Sequence, residues 1–155
     1  MATQQTTAKA HVQFVEDYQF QATFPEGAPE VSVMLDETPP LGGQTGPSPL
    51  TLLAAAVGGC MSASLTFCLN KAHLETDAMN ADVTAHMSRN DAGRLRITGI
   101  DVKLTPCLVR ADQATLDRCT ALFEDFCIVA QSLRQGIPVN VKVAPCSHRI
   151  ERTAA

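Results

Sequence analysis

Hydrophobic positions along the chain follow two periods, and the change from one to the other divides it into elements. Residues 8–16 and 18–24 alternate apolar and polar, as strands with one buried face do, and Val31, Val33 and Leu35 repeat that period. Asp17 and the segment Pro25-Glu26-Gly27 supply the turns between them. Alternation returns over 78–88 through Met79, Ala81, Val83, Ala85 and Met87, and again over 94–105. Asn90-Asp91-Ala92-Gly93 lies between these two runs, which predicts a long hairpin ended by Pro106. A helical period governs 111–126, where Leu116, Cys119, Leu122, Phe123 and Phe126 fall on one face behind a capping Asp112. A short helix is expected over 127–134, stopped by Gly136, and a last strand over 137–143. Residues 1–7 and 147–155 read as tails of a single domain covering 1–155.

One stretch fits neither period. Between Thr38 and Asn70 there is no charged residue, and 48–74 is apolar or small on every side. Ser48 is a candidate N-cap beside Pro47 and Pro49, and Lys71 and His73 fall where cations suit a helix C-terminus. At 1.5 Å per residue this helix is about 37 Å long. With no polar face to show to water, it has to be covered all round. Thr51, Ser62, Ser64, Thr66 and the Gly58-Gly59 pair make it a poor membrane span. Each glycine costs about 1 kcal/mol relative to alanine inside a helix, so the pair, just before Cys60, marks either a close approach of another backbone or a ligand, or tight helix packing in the core.

Three strands, a long helix, a hairpin, two helices and a strand make an α+β layout with antiparallel sheets. One chain of this size has few elements with which to sheath a central buried helix. A second copy bringing its own would solve the problem, so the pattern predicts an intertwined homodimer.

Composition narrows the function. The net charge of −4 disfavours nucleic acid and anionic membranes as partners. Its distribution is uneven: the first 88 residues hold two cations, Lys9 and Lys71, and every arginine lies from Arg89 onward. The opening residues show no apolar leader, so the expectation is a cytoplasmic protein with reduced thiols. The six cysteines are Cys60, Cys68, Cys107, Cys119, Cys127 and Cys146, and none forms a CxxC or a Cys/His metal spacing. Neither a metal nor an organic cofactor is expected. Cys68, Cys107 and Cys119 read as core or incidental positions, and Cys146 as an exposed thiol of the tail. Cys60, in the middle of the uncharged helix, and Cys127, at a helix start where backbone N–H groups favour a thiolate, carry the candidate chemistry.

Around these two cysteines the sequence resembles the OsmC/Ohr family of bacterial thiol peroxidases. The segments that carry the resemblance are GPSPLTLLAAAVGGC at 46–60 and FCIVAQSL at 126–133. They look closest to the OsmC-like branch, and the order of elements matches over almost the whole chain. The resemblance implies an OsmC-like fold, an intertwined homodimer with two sites at the interface, and cysteine-dependent reduction of organic hydroperoxides in the defence against oxidative stress. Cys60 would be the peroxidatic cysteine and Cys127 the resolving one, with a dithiol or lipoylated protein as reductant. The chain departs from the pattern in the activating residues. Relatives use an early arginine and a glutamate ten positions before the reactive cysteine, and here Leu50 stands at the glutamate position. The alternative is therefore a non-catalytic OsmC-like protein that binds a small apolar or thiol-containing ligand.

Overall fold

The computed structural model describes residues 6–26, 31–110 and 112–144. The tails expected at 1–7 and 147–155 and the thiol of Cys146 therefore lie largely or wholly outside the described residues. Strands β1 (His11–Glu16), β2 (Gln19–Phe24) and β3 (Val31–Leu35) form an antiparallel sheet in the order β1-β2-β3. Strands β4 (Thr76–Arg89) and β5 (Leu95–Leu108) form a separate two-stranded hairpin. β5 runs past Pro106, which pairs opposite Met79. Proline is tolerated there because an edge strand does not need every N–H for a ladder.

Helix α1 (Pro49–Lys71) is the spine. The Ser48 hydroxyl accepts from the Thr51 amide at 3.2 Å, so the predicted cap is present. The helix stops at Lys71 and not beyond. Ala72 caps it, His73 turns into the left-handed region at φ 58°, and the Leu74 amide donates back to the Leu69 carbonyl at 2.9 Å. The chain enters α1 through a loop organised by Asp36. Its Oδ2 accepts from the Gly43 amide at 3.1 Å and from both the amide and hydroxyl of Thr45 at 2.9 Å.

α1 lies across the hairpin, with Ala54, Val57, Gly58, Met61, Leu65 and Leu69 buried. One face of β4 and β5, including Met79, Ile100, Val102 and Leu104, packs against that stripe, as the alternating pattern requires. Gly58 does make a close approach, but to side chains of β4 and not to another backbone, so it reflects tight packing in the core. A Cβ on it would stand 2.7 Å from Val83 Cγ2 and 3.6 Å from Ala81 Cβ. Gly59 has no such neighbour: a Cβ there would meet nothing within 4 Å. The expectation that α1 is sheathed on every side does not hold within one chain. Thr51, Ala55, Gly59, Ala63 and Phe67, spaced four apart, form an exposed stripe along it.

The helical period over 111–126 resolves into two elements. α2 (Gln113–Leu122) is capped by Asp112, which accepts from the Thr115 amide at 3.0 Å, and it tightens into a 3-10 turn, η1 (Phe123–Phe126). α3 (Ile128–Gln135) then starts with Cys127 as its N-cap residue and ends at Gly136, whose φ of 76° suits glycine. The strand expected over 137–143 is not formed. Val139, Val141 and Val143 are each more than four-fifths exposed, and their alternating pattern has no strand beside it within the chain.

Candidate functional site

The two sequence-predicted cysteines meet between α1 and the start of α3. Cys60 is half-buried on α1 beside the core. Cys127 is fully buried, in one cluster with Val57, Met61, Leu65, Phe123 and Ala130. Two local features place it. η1 turns the chain between α2 and α3, and the Cys127 backbone leaves helical geometry at ψ 101°, so its side chain points back over the first turn of α3. There the sulfur accepts from the Ala130 amide at 3.5 Å.

Burial pushes the Cys127 thiol above its ordinary value of 9.0. The Ala130 amide opposes that shift, while the neighbouring Cys60 side chain reinforces it both as a hydrogen-bond partner and as a potential like charge. The expectation that a helix start would make Cys127 the easier thiolate is therefore overturned. The N–H groups of α3 do stabilise a charge on this sulfur, but desolvation of a completely buried group outweighs them. Burial thus disfavours the thiolate at Cys127, which lies next to the Cys60 side chain.

An open cavity of about 600 Å³ adjoins the same core, although neither Cys60 nor Cys127 lines it. Leu53, Val57 and Met61 of α1, Ile97, Ile100 and Val102 of β5, and Ala130 and Leu133 of α3 give it mainly apolar walls. Arg134 and Glu124 also line it and pair with each other at 2.5 Å. Val57, Met61 and Ala130 belong both to this wall and to the core cluster containing Cys127. Among the described residues no group of His, Cys, Asp and Glu is arranged to hold a metal.

A second thiol pair overturns the expectation that the thiols are reduced: Cys68 and Cys119 are core positions, as read, but not separate ones. They are joined in a disulfide between α1 and α2, with Cα atoms 5.6 Å apart. Cys107 is free and exposed. The bridge was open to inference from spacing. Cys60 and Cys68 are eight positions apart, Cys119 and Cys127 are eight positions apart, and the two segments cross antiparallel.

The profile of the OsmC-like protein family matches residues 42–142. The chain belongs to the OsmC/Ohr family. Solved structures share its fold. An OsmC-like protein of unknown function from Vibrio cholerae superposes with a TM-score of 0.72 at 14% identity, covering 83% of this chain and 94% of its own. An organic hydroperoxide resistance protein OsmC from Legionella pneumophila gives 0.64 at 16% identity, covering 86% and 92%. An organic hydroperoxide resistance protein of Bacillus subtilis gives 0.58 at 20% identity, covering 83% and 91%. No curated protein matches the chain. The OsmC-like match spans 46–60 and 126–133, the segments on which the resemblance first rested. α1 is long and apolar enough to cross a membrane by length and composition alone. In this fold it is the core helix, packed on the hairpin and on α2 and α3.

Proposed function

We propose that this protein reduces organic hydroperoxides through Cys60 and Cys127. The observation that carries the reading is the proximity of these two thiols across α1 and α3, Cys60 half-buried and Cys127 fully buried. Cys60, the less buried, attacks the outer peroxide oxygen. The O–O bond breaks, Cys60 becomes a sulfenic acid, and the alkoxide leaves as an alcohol after taking up a proton. Cys127 then attacks the sulfenic sulfur, releasing water and closing a Cys60–Cys127 disulfide. An external dithiol, free or as the lipoyl group of a protein, restores both thiols by exchange. The apolar cavity walls favour peroxides of organic character. Mass-spectrometric mapping after treatment with an organic hydroperoxide should find a Cys60–Cys127 bridge that a dithiol reverses. Cys60→Ser should consume no peroxide, and in Cys127→Ser the sulfenic acid should persist. A bridge elsewhere, or undiminished consumption by Cys60→Ser, sinks the proposal.

A second reading keeps the site and drops the chemistry. Leu50 stands at the family's glutamate position, and the cavity of about 600 Å³ could hold a small apolar or thiol-containing ligand. Saturable binding of such a ligand by a protein that shows no peroxide consumption would favour it.

The functional unit is a homodimer of single-domain chains in the cytoplasm. Two surfaces support the dimer. The β1–β3 sheet packs extensively on no other element among the described residues, and Val12, Phe14 and Val31 lie more than half exposed on it. The exposed stripe of α1 is uncharged from Thr51 to Phe67, small up to Ala63 and ending in an exposed phenylalanine. Sedimentation equilibrium at micromolar concentration should give about twice the 16.5 kDa chain mass. A well-folded monomer removes the dimer.

A further inference from the structure

Four of the six cysteines lie in one layer, where α1 faces the segment α2–η1–α3. They form two rungs. Cys60 meets Cys127, and eight positions along each segment Cys68 meets Cys119. Eight residues of helix advance about 12 Å, so the rungs stand too far apart to exchange with each other directly. The second rung bears on the first through the chain that joins them.

That chain has few buried anchors besides the bridge: Phe123 of η1 is in the core, and Glu124 pairs with Arg134 of α3. α2 has ten residues, below the length at which an isolated helix is stable, so its place depends on tertiary contacts. Only Thr115 and Cys119 are buried along it. Thr115 is engaged locally: its amide and hydroxyl both bond the Asp112 carboxylate. Cys119 is therefore the one fully buried apolar attachment of α2 to the core, with Leu116 packed beside it half-buried. Beyond it Phe123 is buried, while Leu122 and Phe126 are more than half exposed. Cys127 follows directly, and its place against Cys60 depends on how this short segment lies on α1.

We propose that Cys68 and Cys119 are a second redox couple, and that their bridge is a positioning disulfide that holds Cys127 closed against Cys60. An external dithiol reduces it: the S–S bond breaks, two thiols form with the two electrons and two protons supplied, and the dithiol closes into its own disulfide. With the bridge open, α2–η1 loosens on α1 and the buried Cys127 becomes accessible. The functional consequence, slower resolution of a Cys60 sulfenic acid in the reduced state, rests on the peroxidase reading. The opening itself does not.

The test uses the full chain without peroxide. Thiols are alkylated under native conditions, with the bridge intact, after mild dithiol treatment, and in Cys68→Ala/Cys119→Ala. Labelling is followed site by site, with exposed Cys107 as internal reference. Opening the bridge should raise the Cys127 rate at least tenfold relative to Cys107 and leave the Cys60 rate within about twofold. Because the alanine pair could fail to fold, the dithiol-treated parent is also checked by circular dichroism for native helix content. Three outcomes overturn the proposal: an unchanged Cys127 rate, a uniform rise at all sites, or a bridge that reduces only when the protein unfolds. A peroxide experiment that fails while Cys127 still responds to the bridge removes the peroxidase reading and leaves this one standing.

Discussion

Gly58 offers the sharpest test of how α1 is seated. Replacing it by alanine should help the helix by about 1 kcal/mol, since glycine is that much less favourable in a helix interior. The geometry opposes the gain. The new methyl would lie 2.7 Å from Val83 Cγ2, against the ~3.5–4.0 Å of ordinary carbon contacts, and would sit near Ala81 Cβ as well. Val83 is β-branched and on a paired strand, so its methyl cannot swing aside cheaply. Overpacking of this kind costs typically 1–3 kcal/mol. The clash wins, and Gly58→Ala should be destabilised by about 1 kcal/mol, a fall in Tm of about 2–4 °C for a chain of this size. Adding Val83→Ala removes the obstructing methyl. The double variant should then be more stable than the two single losses summed, by about 1 kcal/mol or more. Thermal melts of the parent, both single variants and the double variant complete the cycle. If Gly58→Ala melts at or above the parent, or the two changes simply add, the close approach of β4 is not what demands glycine at this position.

The other glycine behaves differently, because nothing in its own chain faces it. Gly59→Leu should leave the fold intact but weaken self-association more than Ser64→Leu does, and sedimentation equilibrium separates the two. Asp36 gives an acid-side prediction. The Thr45 amide foremost, helped by the Thr45 hydroxyl and the Gly43 amide, lowers its carboxyl below the usual 3.8 against the opposing effect of burial. A depressed folded value means stability that is present above the unfolded value and lost as pH falls through the folded one. Asp36→Asn should therefore be less stable than the parent at neutral pH and converge with it as pH falls below 3.8 and through the folded value, as urea melts across the acid range would show; a constant difference refutes it. On the alkaline side the sign reverses. Burial raises Cys127 above 9.0, so its contribution is complete below the unfolded value and is lost as pH rises through the folded one. Cys127→Ser should flatten the fall in stability above about pH 9, and an identical alkaline limb in parent and variant would contradict the assignment.

The fold was legible in the chain wherever periodicity and caps agreed. β1 to β5, the Ser48 and Asp112 caps and the helix over 49–71 all follow from alternation, turn residues and an uncharged run. Misreadings arose where one local signal hid a second requirement. Pro106 looks like a strand end, yet an edge strand can carry it. The valines at 139, 141 and 143 alternate as a strand does, but alternation supplies a face and not a partner, and none lies beside them in one chain. The glycine pair signalled a close approach without saying which glycine made it. The site was legible by position and not by energetics. That Cys60 and Cys127 meet followed from the family segments, whereas the protonation of Cys127 depends on a burial that no sequence pattern displays.

The absence of the family's activating pair bears directly on what Cys127 does. Cys60 lies about 16 Å of helix rise from the Pro49 end of α1, and a helix dipole acts mainly within its terminal turn. That first turn also carries no acidic residue. Arg134 sits at the cavity in an ion pair with Glu124 and is not a free cation for the thiols. Among the described residues of one chain, the thiol beside Cys60 is Cys127, and burial disfavours its thiolate. On the proposed reading Cys127 therefore acts twice. It first donates to Cys60 as charge develops there, and it later gives up that proton to close the disulfide. The two tasks pull in opposite directions. A thiol buried enough to remain a donor is a poor nucleophile until it loses its proton, so resolution should be the slow step. Holding α2–η1 on α1 keeps that thiol within reach of a Cys60 sulfenic acid, which is why the Cys68–Cys119 bridge should favour this step.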